Sequence, residues 1–357
     1  MSRTVQLSRS SDQILASDGT AVLAFVRGAD SPEIVTSPAF NTQDPGSLPL
    51  AALGMSGAAD QLVRTTLPGS PGVVLCLIGL GPRDDADSYR AAAGSAIRQL
   101  SGIAELAVAA PGDDAEPGVV AAITEGLLLG GYRYDASRNL SAPESETVAV
   151  VLHSPADDEV DRRSAIVATA VARTKDLVNM PANEIYPESF VARVLPELAA
   201  AGLETRVWTD EELKAEGFGA IVAVGQGSER GPRLLRVAYR PEGATQHVAL
   251  VGKGITYDTG GLSLKPANAM LGMKSDMAGA ASVLSVLRAA AELELGVSVT
   301  AWLPLAENMP PGRATRPGDV VTARNGQTIE ITNTDAEGRL VLGDALAAAS
   351  LEQPDEI

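Results

Sequence analysis

The chain runs to 357 residues, of which 45% are hydrophobic and 20% charged, and its formal net charge is −17. This length is too great for one ordinary domain and points to two with sizeable cores, while so acidic a surface repels phosphate backbones and argues against nucleic acid as a partner. The single cysteine, Cys76, allows no disulfide within the chain, and the apolar run near the start, Ala21 to Val26, is too short for a signal core or membrane span, so a cytoplasmic setting without a membrane partner is expected.

Ala21 to Val26 and Gly72 to Leu80 read as buried strands, each a short apolar run followed by turn residues. Asp87 to Ile103 has helical spacing, Ala104 to Ala110 reads as a strand, Gly118 to Tyr132 as a helix and Thr147 to His153 as a strand. This βαβ succession predicts a mixed or largely parallel sheet. A helical pattern from Arg162 to about Val178 follows, ended by Asn179-Met180-Pro181 because proline disfavours the helical conformation in the residue before it. The expected division is an N-terminal α/β domain at 1–160, a connecting helix at 161–180 and a C-terminal domain at 181–357.

The C-terminal part repeats the alternation, with a helix at Glu188 to Ala201, a strand at Leu203 to Trp208, a helix from Asp210 and a strand at Leu234 to Tyr239. His247 to Val251 is a further buried strand that runs into the glycine-rich loop Gly252 to Gly261. Met277 to Leu293 reads as a helix, Val297 to Leu305 as a strand, and Asn325-Gly326 as a hairpin turn between Asp319 to Ala323 and Thr328 to Ile331. Asn333 to Gly338 is a polar loop, and Leu340 to Leu351 resumes helical spacing. The fold class expected is α/β in two domains, each a mixed or largely parallel sheet flanked by helices, with the site at the carboxyl ends of the C-terminal strands.

Three segments gather charge at those strand ends: Lys253 with Asp258, Lys265 with Asp276, and Asp335 with Glu337 and Arg339. Four carboxylates in one pocket disfavour each other's ionised forms, and divalent metal removes the conflict. Asp335, Glu337 and Arg339 are spaced by two, so an extended segment would project all three to one side. Only His153 and His247 occur, neither in these segments, so the ligands must be carboxylate-rich, and such a set accepts Mn or Mg as well as Zn. Taken singly, Asp276 reads as a helix cap, Asp335 as a turn residue, Lys265 as a solvated lysine and Arg339 as a surface ion-pair partner. A phosphate-cradling loop is disfavoured, since no lysine followed by serine or threonine closes the glycine run.

The runs Val251 to Asp258, Lys274-Ser275-Asp276-Met277 and Asn333-Thr334-Asp335-Ala336-Glu337-Gly338-Arg339-Leu340 resemble the signature segments of leucyl (cytosol) aminopeptidases, two-metal exopeptidases. Glu307-Asn308-Met309-Pro310, Arg316-Pro317-Gly318-Asp319 and Asn179-Met180-Pro181-Ala182-Asn183 extend the similarity over roughly 170–350. The resemblance implies that Asp258 and Glu337 bridge two divalent ions, Mn or Zn with Mg or Co as alternatives, that Asp335 completes one site, and that Lys253 with Asp276 completes the other. It implies that Lys265 polarises the scissile carbonyl, that Arg339 holds a bicarbonate serving as general base, and that Met273 lines the pocket for the first side chain. It further implies peptide substrates with a free N-terminus, leucine-like residues preferred, and a homohexamer. A lysine ligand must lose its proton, which from a pKa of about 10.4 costs roughly 4 to 5 kcal/mol at pH 7.

The chain stops at Ile357, whereas the resemblance implies a further strand and loop, so an incomplete catalytic domain is expected. Tyr257, Thr259, Ala278 and the stretch Ala269 to Gly272 also depart from the family's usual pattern, without removing an expected ligand. The rival reading is an inactive relative or fragment with a scaffold or DNA-binding regulatory role, and a basic stripe that would favour DNA is not seen.

Overall fold

The structure, a computed structural model, describes residues 3–14, 20–28, 31–40, 45–112, 118–136, 146–155 and 157–357. It divides into two compact units, Met1–Thr169 and Ala170–Ile357. No helix among the described residues is long and apolar enough to cross a membrane.

The first unit contains β1 (Arg3–Ser10), β2 (Ala21–Arg27), β3 (Glu33–Ile34), β4 (Leu62–Leu67), β5 (Ser70–Gly79), α1 (Ala86–Gln99), β6 (Glu105–Ala109), α2 (Val119–Gly130) and β7 (Glu146–His153), and α3 (Asp158–Asn179) begins in it. The sheet has the order β1-β7-β6-β2-β5-β4, with β3 beside β2, and only β3 and β4 run antiparallel to their partners. Successive side chains of a strand face opposite ways, so β2 and β5 feed two cores. Leu23, Phe25, Cys76 and Ile78 pack with Tyr89 of α1 and Ile123 of α2, and Val22, Ala24, Leu75 and Leu77 pack with Met55 and Leu67. The sheet is mixed and rich in parallel pairs, as the βαβ succession predicts. β1, β3 and β4 escape a search for apolar runs because β1 and β4 are edge strands of half-polar sequence and β3 is two residues long.

The second unit contains α4 (Pro187–Ala200), β8 (Glu204–Trp208), α5 (Asp210–Ala215), α6 (Gly219–Gly225), β9 (Arg233–Tyr239), β10 (His247–Val251), β11 (Gly254–Asp258), α7 (Ala267–Met270), a 3-10 turn at Met273–Ser275, α8 (Ala278–Glu292), β12 (Ser298–Asn308), β13 (Asp319–Thr322), β14 (Thr328–Ile331) and α9 (Glu337–Ser350). Its main sheet has the order β10-β12-β9-β8, with β11 also on β12, and β13-β14 form the expected hairpin. Trp302 and Ala306 of β12 pack with Ile221 and Val224 of α6 and Val341 and Ala345 of α9.

The glycine-rich segment is not one loop, because β11 lies within it. Val251 pairs with Trp302 and Gly254 with Leu305, so β10 and β11 keep one register along β12 and are a single strand interrupted at Gly252-Lys253. Gly254 permits this, since a Cβ there would lie 2.5 Å from the Pro304 carbonyl oxygen. The register shifts by one residue between Ile255 and Tyr257, making Thr256 a β-bulge.

Asp344 of α9 is wholly buried, and its carboxylate accepts from the amides of Ala220 and Ile221 at 2.9 Å and of Arg324 at 2.7 Å. One carboxylate thereby ties α9 to the start of α6 and to the β13-β14 hairpin. Burial pushes its pKa up, against the three amides that favour the charge. Asp344→Asn, which turns one acceptor into a donor facing these amides, should cost about 1–3 kcal/mol, read as a lower urea midpoint with an unchanged m-value.

Burial raises the Cys76 thiol to about 11. The unfolded thiol ionises near pH 8.5, so above that pH the folded state holds the extra proton, and this residue's contribution to stability should fall from about pH 8.5 to about 11. Cys76→Ala should flatten that part of the stability profile, and in the folded wild type a thiol reagent at pH 8 should label Cys76 only as fast as the chain opens.

Candidate metal centre

Lys253 sits at the interruption between β10 and β11, and Asp258 closes β11. They are five positions apart, which in a regular strand would face them oppositely, and the Thr256 bulge adds the residue that brings both to one side. The Lys253 ammonium lies 2.8 Å from Asp276 Oδ2 and 2.8 Å from Glu337 Oε1. Lys265 reaches Asp258 Oδ2 at 2.9 Å and is also bonded to Asp335 Oδ1. All five expected ligands and Lys265 therefore meet, and the carboxylate oxygens of Asp258, Asp335 and Glu337 lie within 4.8 Å of one another.

The local sequence explains each placement. Asn333 Oδ1 accepts from the Asp335 amide at 2.9 Å, so Asn333 makes the turn and leaves the Asp335 carboxylate free for Lys265. Asp276 follows the 3-10 turn and precedes α8, yet its side chain turns to Lys253 instead of capping the helix. The neighbouring Lys274 ammonium donates to the Asn179 carbonyl at 2.6 Å, anchoring that turn to the end of α3. The Ala280 amide near the start of α8 donates to the Lys253 carbonyl at 2.8 Å.

One expectation is corrected. Asp335, Glu337 and Arg339 do not share an extended segment, because α9 begins at Glu337. Residues two apart on a helix point about 200° apart, so Glu337 is buried toward Lys253 while Arg339 is exposed. The Arg339 side chain makes no hydrogen bond or ion pair among the described residues. Met273 is half-buried in the 3-10 turn, three residues before Asp276. His247 bonds Thr300 and His153 the Asp12 carbonyl, so both histidines lie outside the cluster.

Four carboxylates face two ammonium groups, leaving an excess of two negative charges at the sheet end. Burial lowers the Lys253 and Lys265 pKa values, but Asp276 with Glu337, and Asp335 with Asp258, outweigh it and hold both above the ordinary lysine value. Asp276 is pushed up chiefly by burial, with Glu337 and Asp258 adding to it and Lys253 opposing. Glu337 is 3% exposed, and its Oε2 has no hydrogen-bond partner among the described residues. An uncompensated pair of charges and an orphaned buried carboxylate oxygen fit divalent cations, and an all-oxygen carboxylate set beside one lysine suits Mn as well as Zn.

Several shaping residues carry no periodic signal in the sequence. Gly338 is one: a Cβ there would lie 2.8 Å from Lys253 Cε and 3.0 Å from its Nζ, so a side chain at this position would push the end of the lysine off its present path to Glu337. Asn308 is another, donating from Nδ2 to Asp258 Oδ1 at 2.8 Å. Gly338→Ala should leave the fold intact and gain up to about 1 kcal/mol of helix stability while displacing the ammonium. A melting temperature at or above wild type together with weakened divalent-metal binding is the expected pair of results.

Comparison with known proteins gives the same region a family. The catalytic domain of the cytosol aminopeptidase family matches residues 172–357, and the N-terminal domain of that family matches 48–141. A protein named "Probable cytosol aminopeptidase" from Leifsonia xyli subsp. xyli is 48% identical over 360 residues, covering 99% of this chain and 71% of that one. One of the same name from Clavibacter michiganensis subsp. michiganensis is 49% identical over 318 residues, covering 86% and 63%. Among solved structures, the bottromycin maturation enzyme BotP in complex with Mn has a TM-score of 0.79 at 35% identity, covering 94% of this chain and 69% of that one. A cytosol aminopeptidase from Coxiella burnetii has a TM-score of 0.77 at 27% identity, covering 98% and 71%. This chain thus spans between 63% and 71% of the length of these relatives.

Proposed function

The chain belongs to the cytosol aminopeptidase family, and on that footing we propose that it is a metal-dependent aminopeptidase that removes leucine-like residues from peptide N-termini. The observation that carries the reading is the meeting of Lys253, Asp258, Asp276, Asp335 and Glu337 around an excess of negative charge. Asp258 and Glu337 would be shared between two divalent ions, Asp335 would serve one, and Lys253 with Asp276 the other. Mn is favoured by the solved relative that carries it, with Zn as the alternative. When bound, such ions supply a nucleophilic water at neutral pH and an anchor for the substrate's free amine.

The chain's own groups supply the rest. Freed from its ion pairs with Asp258 and Asp335, the Lys265 ammonium would donate to the oxygen of the scissile carbonyl and hold it as negative charge develops. Arg339, exposed and uncommitted, would hold a bicarbonate ion as proton acceptor for the attacking water. Met273 would form a wall for the first side chain. An internal peptide bond brings no free amine to the anchor, which restricts cleavage to the N-terminus. The same family footing supports a homohexamer and a cytoplasmic location.

Leucine anilide hydrolysis by the purified chain after metal removal, with and without added Mn or Zn, tests this reading. Release should depend on metal and fall by at least about 100-fold in Lys265→Ala and Asp335→Ala. Metal-independent release, or full activity in both variants, would refute the assigned roles.

A further inference from the structure

Asn308 closes β12 and is nearly fully buried. Its two amide hydrogens go to two different segments: Nδ2 donates to Asp258 Oδ1 at 2.8 Å and to the Thr334 carbonyl at 3.0 Å. The first segment is the end of β11, and the second is the turn that presents Asp335 and Glu337. The backbone carbonyl of Asn308 accepts from the Thr259 amide at 3.1 Å and from its hydroxyl at 2.7 Å, which fixes the start of the loop leading to Lys265. The other face of the carboxamide is equally confined, since a Cβ on Gly261, whose φ is +65°, would lie 2.8 Å from Asn308 Oδ1.

We propose that Asn308 is a positioning residue of the metal centre, one whose carboxamide fixes the Asp258 carboxylate and its spacing from Asp335 and Glu337. The inference rests on the metal-centre reading above. A neutral double donor suits this place for an electrostatic reason. A lysine or arginine would add a cation that competes with metal for Asp258, and an aspartate would add a fifth negative charge to a cluster that already has two in excess. Asp258 Oδ1 also accepts from the Gly260 amide at 2.8 Å, so with Asn308 it is held by two donors while Oδ2 faces Lys265. Without the carboxamide, Asp258 keeps one of those donors and the Thr334 carbonyl loses a buried one. Partners that orient metal ligands commonly matter 10- to 100-fold in affinity.

The test is a titration of the full chain with Mn2+, by calorimetry and by electron paramagnetic resonance of the saturated protein, for wild type, Asn308→Ala, Asn308→Asp and Thr174→Val. Thr174→Val is the control: it removes the Thr174 hydroxyl's bonds to Ser285 at 2.9 Å and to the Ala281 carbonyl at 3.5 Å, both on α8 beyond Asp276, and should lower the melting temperature while leaving every contact of the ligands and of Asn308 in place. Both Asn308 variants should bind Mn2+ roughly 10- to 100-fold more weakly and, at saturation, show an altered Mn–Mn spin coupling, while Thr174→Val matches wild type in both. Asn308 variants with wild-type affinity and coupling would overturn the proposal, as would a Thr174→Val variant that loses affinity to the same degree. Wild type that fails to bind Mn2+ would instead overturn the metal-centre reading itself.

Discussion

Crowding of like charge at one sheet end is the constraint around which the C-terminal unit is built. Asp258, Asp276, Asp335 and Glu337 are held against two lysines, each shared between two carboxylates. The lysines partly neutralise the cluster and their own charge is favoured by it, which leaves the four carboxylates with two negative charges in excess. The burial of Glu337, and in part of Asp276, is also what makes a divalent ion effective there, because charges interact more strongly where water is scarce.

Holding such a cluster needs support that adds no further charge, and the supports are mostly backbone groups and bare positions. The Gly260 amide and the Asn308 carboxamide hold Asp258, the Lys253 carbonyl receives an amide from α8, and Gly338 leaves room for the lysine stem. Asp344, two turns along α9 from Glu337, is the exception, a buried carboxylate satisfied by three amides that fixes the helix on which Glu337 stands. Each link runs from a residue type to a local geometry and then to the electrostatics of the site.

How much of this was legible in the sequence follows from what each feature writes into it. Strands buried on both faces, such as β2 and β5, leave continuous apolar runs and were readable, as was the Asn325-Gly326 hairpin. β11 was hidden because Gly254 and the bulge break any alternation, and its pairing partner lies some fifty residues away. The ligand residues stood out by charge in apolar surroundings, but spacing by two misled at Glu337 and Arg339, where the start of α9 overrides it. Asn308 and Gly338 lay within recognisable segments, yet nothing local says what they touch, since that is decided by tertiary approach alone.

The Thr256 bulge carries a consequence for how this part of the chain can vary. The span from Lys253 to Asp258 works by parity, because five steps plus one irregularity bring two ligands to the same side. Side-chain changes at Ile255, Thr256 and Tyr257 alter packing by degrees, but insertion or loss of a single residue reverses which ligand faces the cluster. Outside Gly254 and the two ligands the segment should therefore tolerate changes of residue but not of length, the opposite of an ordinary connecting loop, which changes length readily.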